Sequence, residues 1–430
     1  MKLFLQILLL SWVALPVAQS QTTARAVVDI PVGASFLPDE TPVLSIPLSG
    51  VAPFLAYSVE WEATPDISLQ IRFYDEKEGK WGDWTPLNPD PHSDREAPAY
   101  VSELGFAAAS CSQFSLRLFP SFDKASLFSV RCHFFNPGNS TPQKPATGQG
   151  DRLSCPCPLP SYLDRAGWCP SGNCPPDPTP QPTEVTHLIV HHSAGPNTSS
   201  DWSAVVRSIW DYHVNVNGWD DIGYNWLLDP NGVLYEGRGN DLQGAHFCGH
   251  NPGTMGVCMM GTYTSVVPPA PMIGKLEKLL AWKCCDRNID PEDFSFHPNS
   301  GLNLFNISGH RDGCSTECPG DSLYAHLPMI RTDVSDTIAA CLPSSAYEQQ
   351  TTETYVHVFP NPATEVIYIQ LAPGAPEPVS LRLVDPKGQV RWQSGKNLQA
   401  GETITLPVKG WASGWYSLQA GNANLKVLIQ

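Results

Sequence analysis

The stretch Leu188-Ile189-Val190-His191-His192-Ser193-Ala194-Gly195 places a branched apolar run directly before two histidines. This run predicts a short buried strand over 186–191 that ends at the first histidine. Apolar side chains then recur at helical spacing over 203–216, where Ser200 or Asp201 can cap the start of a helix. Strands are further predicted at 224–228 and 233–236, joined by a hairpin turn at 229–232, and at 257–260. A second helix is predicted at 272–287. Residues 183–342 are therefore predicted to form an α/β domain with a mixed sheet and flanking helices.

Three residues of this domain carry side chains that zinc prefers: His191, His310 and Cys318. A catalytic zinc needs three N or S ligands and an open fourth position for water. The chain has 13 cysteines, an odd number, so a metal-bound Cys318 would leave twelve that can all pair. Each residue alone is a weak signal, because a histidine at a strand end is more often structural and secreted proteins more often use cysteine in disulfides.

Composition limits the possible partners. The formal net charge is −16 and no long Lys/Arg run occurs, which argues against nucleic acid or an anionic membrane surface as a partner. Residues 1–20 have a short positive start, an apolar run and small residues near Ser20, as in a cleaved secretory signal peptide. The apolar run is shorter than the ~20 residues that span a bilayer, and no later stretch is long and apolar enough.

The chain of 430 residues is long enough for several domains. Residues 24–140 have short apolar strands separated by turns and are predicted to form a β-sandwich, in which Cys111 and Cys132 can pair. Trp81 and Trp84 lie beside a turn of this module. They are either core residues or part of a surface on which a carbohydrate can stack. Residues 141–182 form a Pro/Cys-rich linker, residues 343–354 a polar linker, and residues 355–430 a small antiparallel β-sandwich. The linker cysteines form disulfides or a zinc knuckle: Cys155, Cys157, Cys169 and Cys174.

Five sequence blocks follow one another in the middle domain. They are residues 188–195, Asp220-Asp221-Ile222-Gly223-Tyr224-Asn225-Trp226, Tyr235-Glu236-Gly237-Arg238-Gly239 with Gly244-Ala245-His246, Gly309-His310-Arg311-Asp312, and Thr316-Glu317-Cys318-Pro319-Gly320. In this order they resemble the motifs of the peptidoglycan recognition protein and type-2 N-acetylmuramoyl-L-alanine amidase family. The resemblance covers a little over a third of the chain. It implies the amidase fold for residues 183–342, peptidoglycan or muropeptides as substrate, and one bound zinc ion.

The resemblance also implies roles for individual residues. The family's zinc ligands fall on His191, His310 and Cys318, and its catalytic tyrosine falls on Tyr224. The second polar catalytic position falls on Thr316, where the phage branch of the family has lysine.

Three more residues are substrate-binding candidates. His213 and His246 occupy family positions that line the substrate groove, and Arg238 can contact a stem-peptide carboxylate; each has a structural alternative. Gly239-Asn240 lies where family members discriminate the third stem residue, but this pair matches neither common form. The preference for lysine or diaminopimelate therefore stays open.

The implied reaction is hydrolysis of the amide between N-acetylmuramic acid and L-alanine. Zinc lowers the pKa of bound water from about 15.7 to about 7, and zinc and the Tyr224 hydroxyl can stabilise the developing oxyanion. Two candidates remain for the general base, Tyr224 and a water held near Thr316. The alternative function is a peptidoglycan-binding recognition module without turnover.

The C-terminal segment contains Val358-Phe359-Pro360-Asn361-Pro362-Ala363, Leu383-Val384-Asp385-Pro386-Lys387-Gly388-Gln389 and Gly414-Trp415-Tyr416-Ser417-Leu418. These motifs resemble the C-terminal sorting domain of type IX secretion, a generic carbohydrate-binding sandwich being the alternative. The resemblance implies the type IX machinery of a Gram-negative bacterium as a partner. We therefore expect a protein that is secreted or attached to the cell surface.

Overall fold

The computed structural model describes residues 24–30, 44–45, 54–64, 68–93, 95–108, 110–119, 126–140, 156–341, 356–361, 363–371, 380–385, 389–395, 399, 401–412, 414–420 and 423–429. The predicted signal peptide and the linker at 343–354 lie outside these residues. No helix in the described part of the chain is long and apolar enough to cross a membrane.

The N-terminal module is built from short antiparallel strands. They are β1 (Ala24–Ile30), β2 (Leu44–Ser45), β3 (Ala56–Thr64), β4 (Ser68–Asp75), β5 (Lys80–Trp81), β6 (Thr85–Leu87), β7 (Ala99–Val101), β8 (Gly105–Phe106), β9 (Cys111–Phe119) and β10 (Ser126–Asn136). The described strands form one sheet in the order β1-β10-β3-β7, with β8 beside β3, and another in the order β2-β9-β4-β5, with β6 beside β4. Alternate side chains of both sheets, such as Trp61 and Phe114, share one hydrophobic core.

Two expectations for this module are corrected. Cys111 and Cys132 are buried free thiols and do not pair. They pack in the hydrophobic core, where a cysteine behaves as a small apolar residue. Trp81 and Trp84 are half-buried and do not belong to that core; the Arg72 guanidinium lies over both rings, at 4.8 and 4.4 Å from their centroids.

The central domain alternates strands and helices. Its elements are β11 (Tyr162–Leu163), α1 (Arg165–Trp168), β12 (His187–His192), α2 (Trp202–Asn215), β13 (Trp226–Leu228), β14 (Leu234–Glu236), β15 (Thr254–Met259), α3 (Ala270–Arg287), β16 (Phe294–His297), β17 (Leu302–Phe305), β18 (Ile307–Gly309), a 3-10 turn (His310–Asp312), α4 (Asp321–Tyr324) and α5 (Leu327–Cys341). Its described strands include a mixed sheet in the order β11-β14-β13-β15-β12-β18, in which β13 and β14 are antiparallel and the other pairs parallel.

Helices cover both faces of this sheet. Leu188 and Val190 pack with α3 and α5 on one face. On the other face, Leu227 and Cys258 pack with α2, whose first turn is capped by Asp201 accepting from the Ala204 N–H at 2.9 Å. The turn between β13 and β14 closes at Asp229, which accepts from the Gly232 N–H at 2.9 Å. The sheet is therefore buried on both sides, as its apolar strands require.

The described part of the predicted linker, residues 156–182, packs against the central domain. β11 extends the sheet beside β14, and the fully buried Trp168 donates from Nε1 to the Glu236 carbonyl at 2.8 Å. Cys169 and Cys174 form a disulfide, so they do not provide thiolates to a zinc knuckle. Cys155 lies outside the described residues.

The N-terminal module docks on α2. Arg207 is 1% exposed and donates to the carbonyls of Pro137 at 2.7 Å and Gly138 at 2.8 Å. Apolar residues from both sides form a joint cluster, which includes Ala56, Val101, Phe135, Tyr212 and Val216. The two domains therefore share a buried interface.

The C-terminal unit, residues 342–430, is a separate compact unit. Its strands are β19 (Val356–Phe359), β20 (Val366–Leu371), β21 (Leu381–Val384), β22 (Val390–Gln393), β23 (Thr403–Pro407), β24 (Gly414–Ala420) and β25 (Ala423–Ile429). The described strands pair antiparallel in the orders β19-β20-β23 and β22-β21-β24-β25. Both sheets contribute to one hydrophobic core, which includes Ile367 and Leu418.

Candidate metal centre

The centre lies at the carboxyl ends of two neighbouring parallel strands. β12 ends in His191 and His192, and β18 runs directly into His310. Because Val190 lies opposite Gly309 in the ladder, the next residue of each strand reaches the same level. The rings of His191 and His310 accordingly lie 4.6 Å apart, and both are fully buried. Ligand sites in such sheets form where parallel strands end.

His310 presents one ring nitrogen without a partner. Its Nε2 atom lies 3.6 Å from Cys248 Sγ, while its buried Nδ1 has no hydrogen-bond partner among the described residues. Cys248 and Cys314 form a disulfide beside this ring, so their sulfurs are not thiolate ligands. A buried nitrogen without a hydrogen-bond partner costs free energy unless a bound ion, ligand or water satisfies it.

Cys318 approaches the histidines from the loop after the 3-10 turn. Its Sγ lies 3.7 Å from His191 Nδ1 and accepts a hydrogen bond from the His192 N–H at 3.3 Å. Gly320 lets this loop close against the core: its φ is +88°, and a Cβ there would lie 2.5 Å from the carbonyl carbon of Tyr263. The structure thus places Cys318 Sγ beside His191, and the ring of His191 beside that of His310. Cys318 is not among the described donor atoms that all lie within 4.8 Å of one another, so the ligand set stays a prediction.

Burial controls the protonation of these groups. Burial and the neighbouring His310, His246 and His92 rings hold the pKa of His191 well below its usual value, so its imidazole is neutral. Burial likewise lowers the pKa of His310. Burial raises the pKa of the Cys318 thiol to about 12, although the His192 N–H opposes this shift. Such a thiol is no activated nucleophile, whereas a divalent cation would stabilise its thiolate.

The donor set fits a zinc ion. It combines two neutral imidazoles with a buried cysteine sulfur, and zinc prefers these N and S donors. The unpartnered Nδ1 of His310 and the Nδ1 of His191 beside Cys318 Sγ give the same site two nitrogen donors.

Tyr224 lies against the centre. It precedes β13, is 7% exposed, and its ring centroid lies 5.3 Å from that of His191. Burial raises its pKa well above the usual value, so the hydroxyl stays protonated. Tyr224 and Thr316 both line a cavity of about 550 Å³ that opens beside Cys318. Thr316 Oγ1 also accepts from the Cys318 N–H at 3.2 Å, which fixes the loop that carries the sulfur.

The three substrate-binding candidates occupy different places. His213 lines the cavity, and its Nδ1 accepts from the Gly223 N–H at 3.0 Å. His246 lies behind His191, with its Nδ1 3.1 Å from His191 Nε2. Arg238 is held by the carbonyls of Ile222 at 2.8 Å and Gln243 at 3.2 Å, so its guanidinium supports its own loop. A stem-peptide contact of Arg238 stays a prediction.

One residue at the centre comes from the N-terminal module, and no sequence motif marks it. His92 stacks on His310 with ring centroids 4.5 Å apart and planes 8° apart. Ligand nitrogens of His92, His191 and His310 lie within 4.8 Å of one another. In the sequence, His92 follows Pro89-Asp90-Pro91 and belongs to no motif. No local pattern connects it with His191, which lies about 100 residues further along the chain.

Comparisons with known proteins agree with the two resemblances. Residues 181–321 match the N-acetylmuramoyl-L-alanine amidase family model, and residues 357–430 match the secretion system C-terminal sorting domain. The chain is 35% identical over 143 residues to peptidoglycan recognition protein 1 of Bos indicus, which covers 33% of this chain and 69% of that protein. It is 29% identical over 196 residues to peptidoglycan-recognition protein LB of Drosophila melanogaster, covering 44% and 76%. It is 33% identical over 149 residues to the N-acetylmuramoyl-L-alanine amidase of Homo sapiens, covering 34% and 23%.

Proposed function

Because the chain belongs to the peptidoglycan recognition protein and N-acetylmuramoyl-L-alanine amidase family, we propose that it is a zinc-dependent amidase. It hydrolyses the amide bond between N-acetylmuramic acid and L-alanine in peptidoglycan. The observation that carries this proposal is the cluster of His191, His310 and Cys318 beside Tyr224 at the carboxyl ends of β12 and β18.

His191, His310 and Cys318 would hold the metal. A zinc ion with three protein ligands supplies a bound hydroxide near neutral pH and polarises a carbonyl oxygen. If His191 binds through Nδ1, its Nε2 carries the proton and donates to His246 Nδ1 at 3.1 Å. This bond fixes both the tautomer and the orientation of the ligand ring. The His192 N–H, at 3.3 Å, stabilises the negative charge on Cys318 Sγ.

Tyr224 acts on the substrate. Because its hydroxyl is protonated and lines the cavity, Tyr224 can donate a hydrogen bond to the substrate carbonyl oxygen as negative charge develops there. Thr316 supports the cysteine loop through its bond to the Cys318 N–H and lines the same cavity, where it can hold a water. The leaving amine then takes its proton from that water or from Tyr224.

The flanking parts define where the reaction takes place. The C-terminal match supports export by the type IX route, so the substrate is peptidoglycan or its fragments outside the cell or at its surface. We further propose that residues 24–140 and 355–430 are β-sandwiches, since each pairs two antiparallel sheets over one core.

The test is cleavage of purified muropeptides by the zinc-loaded chain. Free peptide stems are expected with the parent chain and lost in His191→Ala. The matched control is His250→Ala, a half-buried histidine whose ring contacts Phe247. Binding of muropeptides without any cleavage by a zinc-loaded chain would support the recognition module and contradict the amidase.

A further inference from the structure

The N-terminal module forms part of the wall of the cavity that contains Tyr224 and Cys318. Residues 88–92 and the pair Glu103 and Leu104 line this cavity of about 550 Å³ together with residues of the central domain. The volume is typical of a pocket for a small ligand, which suits the reacting amide and its nearest substituents. Side chains of both domains therefore meet the same part of a substrate.

The module's side of this wall is fixed in place. Asp90 is 8% exposed, and its Oδ2 accepts from the Tyr212 hydroxyl at 2.6 Å and from Asn217 Nδ2 at 3.0 Å. Glu103 lies between β7 and β8, and its N–H donates to the Asn88 carbonyl at 3.0 Å. Both segments that carry a carboxylate are thus held by the fold, so their charges are in position before a substrate arrives.

The acidic and basic side chains of the cavity lining are all carboxylates. They are Asp90, Glu103 and Glu317, and the part of the chain that the structure describes adds no lysine or arginine to this lining. Arg311 precedes the cysteine loop but does not offset these charges at the wall. Its guanidinium pairs with the Asp321 carboxylate at 2.6 Å instead.

The remaining groups of the centre do not supply positive charge either. Burial lowers the pKa of three lining histidines, so their imidazoles are neutral at pH 7: His92, His192 and His213. A zinc ion together with one thiolate and one bound hydroxide carries no net charge. The cavity is therefore a poor environment for a carboxylate of the substrate, because like charges repel strongly where water is scarce.

Glu103 is the carboxyl group of this set whose charge varies near neutral pH. Burial and the charge of Asp90 raise its pKa to about 7, a hydrogen bond from Asn88 opposes this shift, and the charge of Glu317 adds to it. The ionised Glu103 also acts on the region of the centre. After burial, its charge contributes to the raised pKa of the Cys318 thiol.

The same charge reaches helix α2. Burial, Asp90 and Glu103 all raise the pKa of the Tyr212 hydroxyl, which stays protonated. Glu103 therefore acts on groups from the cysteine loop and from α2, the two parts of the central domain that border the cavity. A substrate group between them is exposed to the same negative charge.

We propose that Glu103 selects against a free α-carboxylate on the second stem residue, so that stems with D-isoglutamine are preferred to stems with D-glutamate. This inference rests on the proposed amidase function. The second residue directly follows the L-alanine of the reacting amide, so its α-carboxyl is the charged group of the stem nearest to the reaction. A carboxamide there is uncharged and can donate to the Glu103 carboxylate, whereas a carboxylate meets a like charge. The N-terminal module thereby contributes to the choice of substrate.

Two muropeptides that differ only in this group test the inference. One carries D-isoglutamine and the other D-glutamate at the second position. The zinc-loaded Tyr224→Phe chain, which is expected to cleave slowly, is titrated with each by calorimetry at pH 8 and low salt. The amidated stem should bind at least about tenfold more tightly, and added salt should reduce the difference because it screens the charges. Stem release by the zinc-loaded parent chain from an equimolar mixture should show the same preference.

Variants of the carboxylate identify its source. Glu103→Gln, which keeps the size of the side chain, should bring the two affinities within about twofold of each other. Glu62→Gln, which changes an exposed carboxylate of the same module, is the matched control and should keep the full preference. The preference should also fall from pH 8 to pH 6, because Glu103 takes up a proton while an α-carboxyl of the stem stays ionised.

The outcomes for the two proposals differ. Equal affinities at pH 8, or a preference that is unchanged in Glu103→Gln, overturn the inference, and release of both stems by the parent chain would then leave the amidase intact. Release of neither stem by the zinc-loaded parent chain, with the binding preference present, overturns the amidase and supports Glu103 as a selective contact.

Discussion

Replacing His246 with alanine tests how the ring of the candidate ligand His191 is oriented. Its family position suggested the substrate groove, yet the structure puts it 1% exposed behind His191, with Nδ1 3.1 Å from His191 Nε2. Its other nitrogen lies 3.3 Å from Thr254 Oγ1. His246→Ala removes the group that orients a ligand ring and leaves the three proposed ligands in place.

The expected loss follows from that contact. Removing the outer partner of a metal-bound histidine costs about 10–100-fold in metal affinity, which corresponds to about 1.4–2.7 kcal/mol. The assay is zinc competition against a chromophoric chelator at fixed pH, with far-UV circular dichroism to confirm folding. His250→Ala is the matched control, and its zinc affinity should equal that of the parent chain.

A second substitution reaches the same contact from the strand. A Cβ on Gly256 of β15 would lie 2.5 Å from Cδ2 of His246, so Gly256→Ala should displace the ring and weaken zinc binding in the same way. Unchanged zinc affinity in a folded His246→Ala chain, with slower stem release, would refute this reasoning and return His246 to the substrate groove.

Three more outcomes are expected. Tyr224→Phe should keep its zinc and lose about 10²–10³-fold in kcat, the usual loss for one oxyanion donor, and full activity would refute its role. Burial tends to raise the pKa of Glu60, but the His133 ring 3.2 Å from its carboxylate and the hydrogen bond from Arg95 at 3.0 Å lower it to about 2. The ionised Glu60 carboxylate therefore stabilises the fold above the unfolded pKa of 4.5, and this stabilisation is lost as pH falls towards 2. In urea unfolding, Glu60→Gln should lower the free energy of unfolding by about 2–3 kcal/mol at pH 7 and by much less at pH 3. Arg207→Ala should destabilise the chain by about 3–5 kcal/mol in the same assay, because it leaves buried carbonyls at the domain interface unpaired; a loss below 1 kcal/mol would contradict that.

Local patterns predicted the central elements well. The strand predicted at 186–191 is β12, the helix at 203–216 is α2 with Asp201 as its cap, and the turn at 229–232 joins β13 to β14. Each of these depends on residues close together in the chain, through apolar periodicity, a capping side chain or a turn sequence. Helix α5 was not predicted.

The cysteine argument was wrong for a physical reason. Cys318 was set aside because twelve other cysteines could pair, but Cys111, Cys132, Cys258 and Cys284 are also free thiols. All four are buried, and a buried free thiol packs like a small apolar residue. An odd count therefore did not single out Cys318; its closeness to His191 does so instead.

The domain contacts lay beyond any local signal. His92 and Asp90 have no recognisable spacing from the metal candidates, since they approach them only after the N-terminal sheets pack on α2. The two alternatives for His246 could not be separated from the sequence for a related reason. Its motif places it near the site, whereas only coordinates show which neighbour its ring meets. Motifs therefore identified the amidase-family domain, and packing determined how its candidate metal centre is supported and covered.

The most direct test of the central claim is release of free peptide stems from purified muropeptides by the zinc-loaded chain, with the His191→Ala chain alongside. We expect release on lysine-type or diaminopimelate-type stems that stops with a chelator and returns with added zinc, and no release by the His191→Ala chain. No release on either stem type by the parent chain, with zinc confirmed bound, would contradict the amidase.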